Sequence, residues 1–271
     1  MASLHFDRRA EDEPVSKLTV AVILTLIFAL LTISHIVATV MTRTAFGICM
    51  LLGGLFDTVG LIAQSCSDDY IKGDMATKLG QVFPFLAPVL FAAGNHLFFV
   101  RYLRKTALHG YACVPPDFVI VVTGGCDILY FIIQAVGVGK LANAVTPAAF
   151  DTARIIILTG LGLQIVCDGF FIIASVIFHS RVSSFYSLNN TFPHTRAQMW
   201  GVHLCSFIIM VRTIARVLEA AFSNSNVHIL DIFLMSLVLF LTLTWYPKFG
   251  FCSRRRANND FQFPLANFQA G

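Results

Sequence analysis

Residues 207–222 read FIIMVRTIARVLEAAF, an apolar run broken by Arg212, Arg216 and Glu219. On a helix of 3.6 residues per turn these three fall within about 60° of one another. The stretch is therefore a single charged stripe on an otherwise lipid-compatible helix. Each such charge at mid-helix costs about 2.5–3.5 kcal/mol on membrane-insertion scales, so it must face a partner or a wet cavity.

The rest of the chain sets that helix in a membrane. Of 271 residues, 56% are hydrophobic and only 13% charged, with a mean hydropathy of +0.75. Soluble domains are about 25% charged. A helix needs about 20 apolar residues to cross the hydrocarbon core, and segments 18–40, 45–64, 79–100, 118–138, 155–178, 199–222 and 227–246 meet that length. The intervals between them leave no room for a soluble domain. The expected fold is all-α: a polytopic membrane protein with seven transmembrane helices, integral to a plasma membrane or endomembrane. The acidic stretch before the first apolar run, and that run's length, are unlike a cleavable signal peptide, so residues 18–40 are read as a retained span.

Orientation follows from lysine and arginine in short loops. Arg43, Arg101, Arg104, Lys105, Arg181, Arg196, Lys248, Arg254, Arg255 and Arg256 fall in the odd loops and the tail; Arg8, Arg9, Lys17, Lys72, Lys78 and Lys140 fall on the other side. This bias predicts an outside N-terminus and a cytoplasmic C-terminus. Residues 1–17 are then an extracellular segment, 18–247 the membrane domain and 248–271 a cytoplasmic tail. The RRR run at 254–256 reads as positive-inside sorting, so no nucleic-acid partner is expected. Asn189 opens a glycosylation sequon on the cytoplasmic side, where it would go unused.

The remaining intramembrane polar residues share faces. Asp127 and Gln134 are seven apart, Asp57 and Gln64 repeat that interval, and Gln164 and Asp168 lie at i, i+4. Together with Arg212, Arg216, Glu219 and Asp231 these groups are expected to converge on one polar cavity. In it the arginine stripe would pair with Asp57, Asp127 and Asp231. Arg216 is expected to be held by Glu219, Asp231 or both, which leaves Arg212 to face a ligand. Pro84 and Pro88 imply a kink, and the phenylalanines read chiefly as lipid-facing bulk. Packing between transmembrane helices is the competing account of any single polar residue.

Nothing in the sequence specifies a cofactor or metal. The seven cysteines show no CxxC and no ligand spacing. His35, His96, His179 and His203 fall near the cytoplasmic helix ends and read as packing histidines rather than haem ligands. GVGK at 137–140 lacks the other residues of a phosphate loop, and HExxH and a nucleophile elbow are absent. No catalytic residue is assigned, and the chain is expected not to be an enzyme.

Several stretches resemble the fungal lipid-translocating exporter family (RTA-like): LAPVLFAAGNHLFFVR from Leu86, VTGGCDILYFIIQAVGVG from Val122, GLGLQIVCDGFF from Gly160, VRTIARVLEAAF from Val211 and HILDIFLM from His228. They cover the third to seventh spans in order. The polar positions depart from the family's pattern: Asp57, Leu61 and Gln64 stand where Glu, Tyr and Arg are usual, His96 where a tyrosine is usual, and Ala215 where an aromatic is usual. The resemblance implies a transporter or exporter of an amphipathic lipid-like or xenobiotic small molecule, with membrane lipids as its other partners. Resistance, or export of a metabolite, would follow. An intramembrane enzyme of the terpene-cyclase kind, using Asp57 or Asp127 as general acid, is the alternative. A seven-helix receptor is a third reading, but the short cytoplasmic loops carry no coupling motif.

Overall fold

The structure is a computed structural model. It describes the backbone of residues 4–69, 74–105, 115–189, 193–222 and 228–246, and the side chains of 22–64, 75–104, 115, 117–183, 197–221 and 231–246. The arginine-rich tail, the acidic side chains before residue 18, Cys66 and the side chain of Asn189 lie outside these.

Seven helices run α1 Leu4–Thr42, α2 Ala45–Asp69, α3 Asp74–Lys105, α4 Pro116–Ala142, α5 Pro147–Asn189, α6 Pro193–Phe222 and α7 His228–Leu243. The described residues contain no strand. Six of the helices are long and apolar enough to cross a membrane. The helix α7 has 16 residues, fewer than the 20 expected, because a turn closes it ahead of Trp245 and Tyr246. In contrast α1 begins inside the segment expected to precede the membrane. The 43 residues of α5 span about 64 Å, twice the hydrocarbon thickness.

Sequential helices pack against one another, α7 returns to α1, and α3 reaches across to α6. Burial makes α3 the central helix: 61% of its apolar window is buried, against 28% for α1 and α4. The outer faces of α1 and α4 present apolar side chains such as Leu30 and Val121. The phenylalanines follow the lipid-facing expectation only in part: Phe118, Phe150, Phe170, Phe207, Phe233 and Phe240 are exposed, but others form core. Phe28, Phe46, Phe91, Phe98, Phe99 and Phe171 are buried, and Phe98 stacks on Trp245 at 4.1 Å. These flat rings fill space between helices alongside the branched aliphatics of the core.

Small residues set the closest approaches. A Cβ on Gly60 would lie 2.4 Å from the ring of Pro84, so α2 and α3 meet there only because residue 60 is glycine. The α1–α2 connection is a tight turn in which Arg43 takes φ 48°, the left-handed conformation that ends a helix. At the opposite end of the bundle Arg154, two turns into α5, donates to two carbonyls in the last turn of α6, Ala220 and Ala221, both at 2.5 Å. This arginine sits on the side of Lys140 and belongs in the orientation bias, which it narrows to ten against seven.

Candidate functional site

The expected single cavity is two clusters at different depths. The first is built on the stripe of α6. Asp231, one turn into α7, receives Arg212 Nε at 2.5 Å on Oδ1 and Arg212 Nη2 at 3.5 Å on Oδ2. Arg216 donates through Nη2 to the same Oδ2, and through Nη1 to Glu219 at 2.9 Å. Both partners expected for Arg216 are therefore present. Arg212 departs from expectation: it pairs with Asp231 through Nε and Nη2 rather than being left wholly for a ligand, because the α6–α7 hairpin brings Asp231 level with both arginines.

Arg212 has a further role that the local chemistry dictates. Pro88 has no N–H to give the carbonyl four residues earlier, so Pro84 O is orphaned inside the apolar interior. Arg212 Nη2 supplies the missing donor at 3.3 Å. Both guanidiniums also lie over the Phe85 ring, at 5.8 and 5.7 Å. The prolines of α3 thus make a docking point for the α6 stripe.

Asp57 on α2 lies within electrostatic reach of Arg212, Arg216 and Asp231 but forms no ion pair with either arginine. Its Oδ2 is buried without a hydrogen-bond partner, as are Arg212 Nη1 and Arg216 Nε. Within this cluster one acceptor and two donors therefore remain unspent. Gln64, expected on the same face as Asp57, is exposed, so the repeated Asp–Gln interval does not create a second polar face.

The second cluster joins α3, α4 and α5. Asp127 does not pair with the arginine stripe. It accepts from Tyr130 on its own helix and from His96 Nδ1, which lies 3.0 Å from Oδ2. The other ring nitrogen, His96 Nε2, lies 3.6 Å from Asp168 Oδ1. Gln164 donates to Asp168 at 3.4 Å and accepts from Gln134 at 2.9 Å, so an amide chain extends the cluster along α4 and α5. His96 stands twelve residues beyond Pro84 on α3, about 18 Å along the helix. That distance is why the two clusters do not merge.

Beside the second cluster is a cavity of about 10 Å³, lined by Asn95, His96, Asp168, Ser206, Ala92, Phe171 and Ile209. Sequence reasoning missed His96, Tyr130, Asn95 and Ser206 as site residues. Tyr130 was findable, since it stands at i+3 from Asp127. The available signal for His96 was its departure from the usual tyrosine. The other histidines follow two patterns. His35 is a packing histidine, bonded to Tyr246 and to Leu239 O at 3.0 Å each. His179 and His203 bond directly to one another at 2.9 Å, with rings nearly parallel. Among the described residues no group of His, Cys, Asp and Glu has the arrangement of a metal site.

Residues 50–254 match the family described as RTA1 like protein. Protein RTM1 of Saccharomyces cerevisiae is 31% identical over 185 residues, covering 66% of this chain and 57% of the relative. Protoporphyrin uptake protein 1 of the same yeast is 26% identical over 183 residues, covering 66% of this chain and 58% of the relative. This chain therefore spans a little over half the length of these two relatives. No solved structure matches. With the match running through both polar clusters and five of the helices in full, the chain is a member of the RTA1-like family of multi-pass membrane proteins.

Proposed function

We propose that the chain is a transporter of an amphipathic, lipid-like or xenobiotic small molecule, and that the arginine cluster takes its polar headgroup. One observation carries the reading. Asp57 Oδ2, Arg212 Nη1 and Arg216 Nε are buried and unsatisfied, and unsatisfied polar atoms are costly in an apolar bundle unless a guest completes them. A headgroup with oxygen acceptors for the two guanidiniums and a donor for Asp57 meets all three needs. The hydrophobic part would stay between helices or in lipid. A relative named for protoporphyrin uptake supports an amphipathic cargo, since protoporphyrin is an apolar ring system with two carboxylates. Its name speaks of uptake where the sequence resemblance implied export, and the site itself favours neither direction.

This reading takes the chain as a carrier and not as an enzyme. It is tested in proteoliposomes loaded with a panel of fluorescent amphipaths bearing anionic, cationic and zwitterionic headgroups. Wild type is expected to move at least one of them, and Asp57→Asn to stop that movement without loss of folded protein. Wild-type vesicles no faster than empty ones across the panel would sink the proposal. The outside N-terminus is part of the same proposal. A tag before Met1 should be open to external protease on intact cells and one after Gly271 protected; the reverse pattern would turn the arginine cluster toward the cytoplasm.

A further inference from the structure

We propose that His96, Asp127 and Asp168 form a proton-binding site, served by one water molecule seated among His96, Asp168, Asn95 and Ser206. The site itself does not depend on the transporter reading. Its use in coupling does.

The argument begins with donors and acceptors. A carboxylate only accepts, so the 3.0 Å contact to Asp127 Oδ2 places a proton on His96 Nδ1. In a neutral ring the opposite nitrogen, Nε2, is then a lone pair. It points at Asp168 Oδ1 across 3.6 Å. Two acceptors facing one another in an apolar interior repel unless a proton lies on one of them, and 3.6 Å is too long for a direct hydrogen bond. A water beside the pair, donating one proton to each acceptor, resolves both problems.

The cavity supplies the place for that water. Its volume of about 10 Å³ is that of a single water. It also has the polar partners a buried water requires. Asn95 and Asp168 line it, and the Oδ1 of each is buried without a hydrogen-bond partner. Ser206 Oγ, which accepts from Asn95 Nδ2 at 2.7 Å, keeps its own hydroxyl proton to donate.

The two carboxylates are held differently, which locates the exchangeable proton. Asp127 takes a donor on each side, from Tyr130 and His96. Asp168 has only the Gln164 amide at 3.4 Å. The remaining titratable groups near the cluster are Cys49 on α2, Cys126 on α4 and Cys167 on α5. Among the described residues neither Asp127 nor Asp168 has a lysine or arginine partner. One imidazolium cannot neutralise two carboxylates, so a second proton or its loss changes the charge of a buried site. A proton arriving as hydronium leaves water in the cavity and forms an N–H bond at Nε2 or an O–H bond at Asp168 Oδ1; release is the reverse.

A polar track leads from this cavity toward one end of the bundle. Asp168, Ser175 and His179 lie within about 40° on α5. Ser175 reaches His203 at 3.4 Å, and His203 is one turn before Ser206 on α6. The His179–His203 pair is only partly buried, so the track runs from a half-exposed histidine pair to the cavity.

The test is nitrogen NMR on the full chain, labelled with ¹⁵N-histidine and held in nanodiscs, with His96 assigned by its loss in His96→Gln. Between about pH 5 and pH 8 the His96 ring nitrogens should titrate reversibly. That titration should be displaced in Asp168→Asn and restored toward wild type in Asp168→Glu. A His96 spectrum constant over this range, or unchanged by Asp168→Asn in folded protein, would overturn the proposal. Proteoliposomes separate it from the transporter reading. If that reading holds, one unit of pH gradient should shift wild-type accumulation by up to about tenfold, and the shift should vanish in Asp168→Asn. His96 titration without movement of any amphipath would keep the proton site and remove the transporter. Amphipath movement with a constant His96 spectrum would do the opposite.

Discussion

The two polar clusters solve the same problem in different ways. In the arginine cluster two guanidiniums meet two carboxylates, Asp231 and Glu219, in contacts within one hairpin of α6 and α7. Charge balances among these paired groups, with Asp57 beside them unpaired, and the residues that form the pairs are close in sequence. In the histidine cluster one imidazole meets two carboxylates drawn from α4 and α5. Charge does not balance, and the partners are 31 and 72 residues away from His96. A balanced buried cluster is a fastening, since any change in its protonation is opposed by a fixed partner. An unbalanced one is held by fewer fixed partners and can change state. This difference supports the proposals above, in which the first cluster anchors and, through the unpaired Asp57, also binds, while the second exchanges a proton.

The largest effect expected is at Asp231, the carboxylate that both arginines share. Asp231→Asn leaves Arg216 with Glu219 and Arg212 with no ion-pair partner, only Asp57 within electrostatic reach, and losing a buried partner typically costs about 3–5 kcal/mol. Folded yield and melting temperature in detergent should fall sharply. A variant that melts like wild type would show that the cluster is hydrated, and the contrast would collapse.

Next in size are the coupling energies within that cluster. Double-mutant cycles should give a larger interaction for Arg212→Gln with Asp231→Asn than for Arg216→Gln with Asp231→Asn, because Glu219 also holds Arg216. Couplings between contacting residues run about 0.5–3 kcal/mol. Because Asp231 serves two arginines, each double mutant should be only partly rescued. Strict additivity in both cycles would mean these residues do not pair.

The histidine cluster should respond asymmetrically. Asp127→Asn removes the anion that two donors address and should cost about 1–3 kcal/mol. Asp168→Asn puts an amide where two acceptors faced one another, so its melting temperature should stay close to wild type. Equal losses at the two positions would show that both carboxylates are structural anchors, like Asp231.

The smallest effect is expected at Gln134, whose amide bond to Gln164 is one neutral contact at 2.9 Å. Gln134→Leu should lower stability by about 0.6 kcal/mol, the mean for side-chain hydrogen bonds between membrane helices. A loss as large as that of Asp231→Asn would make the amide chain part of a fastening and blur the distinction between the clusters.

The membrane class, the all-helical architecture and the stripe of α6 were readable from the residues alone. Each depends on local composition or on helical spacing, and a helix places residues three, four and seven apart on one face whatever surrounds it. The Arg216–Glu219–Asp231 contacts were legible for the same reason, with a short connection bringing Asp231 back beside the stripe. It took the packed bundle to show that Arg212 caps the carbonyl freed by Pro88, that Asp127 turns to His96 rather than to the arginines, and that the polar residues form two levels instead of one. Spacing gives a residue's azimuth on its own helix but not the depth or rotation at which another helix meets it. Those are set by packing, such as the Gly60–Pro84 contact and the stacked rings of the core, which no single segment carries.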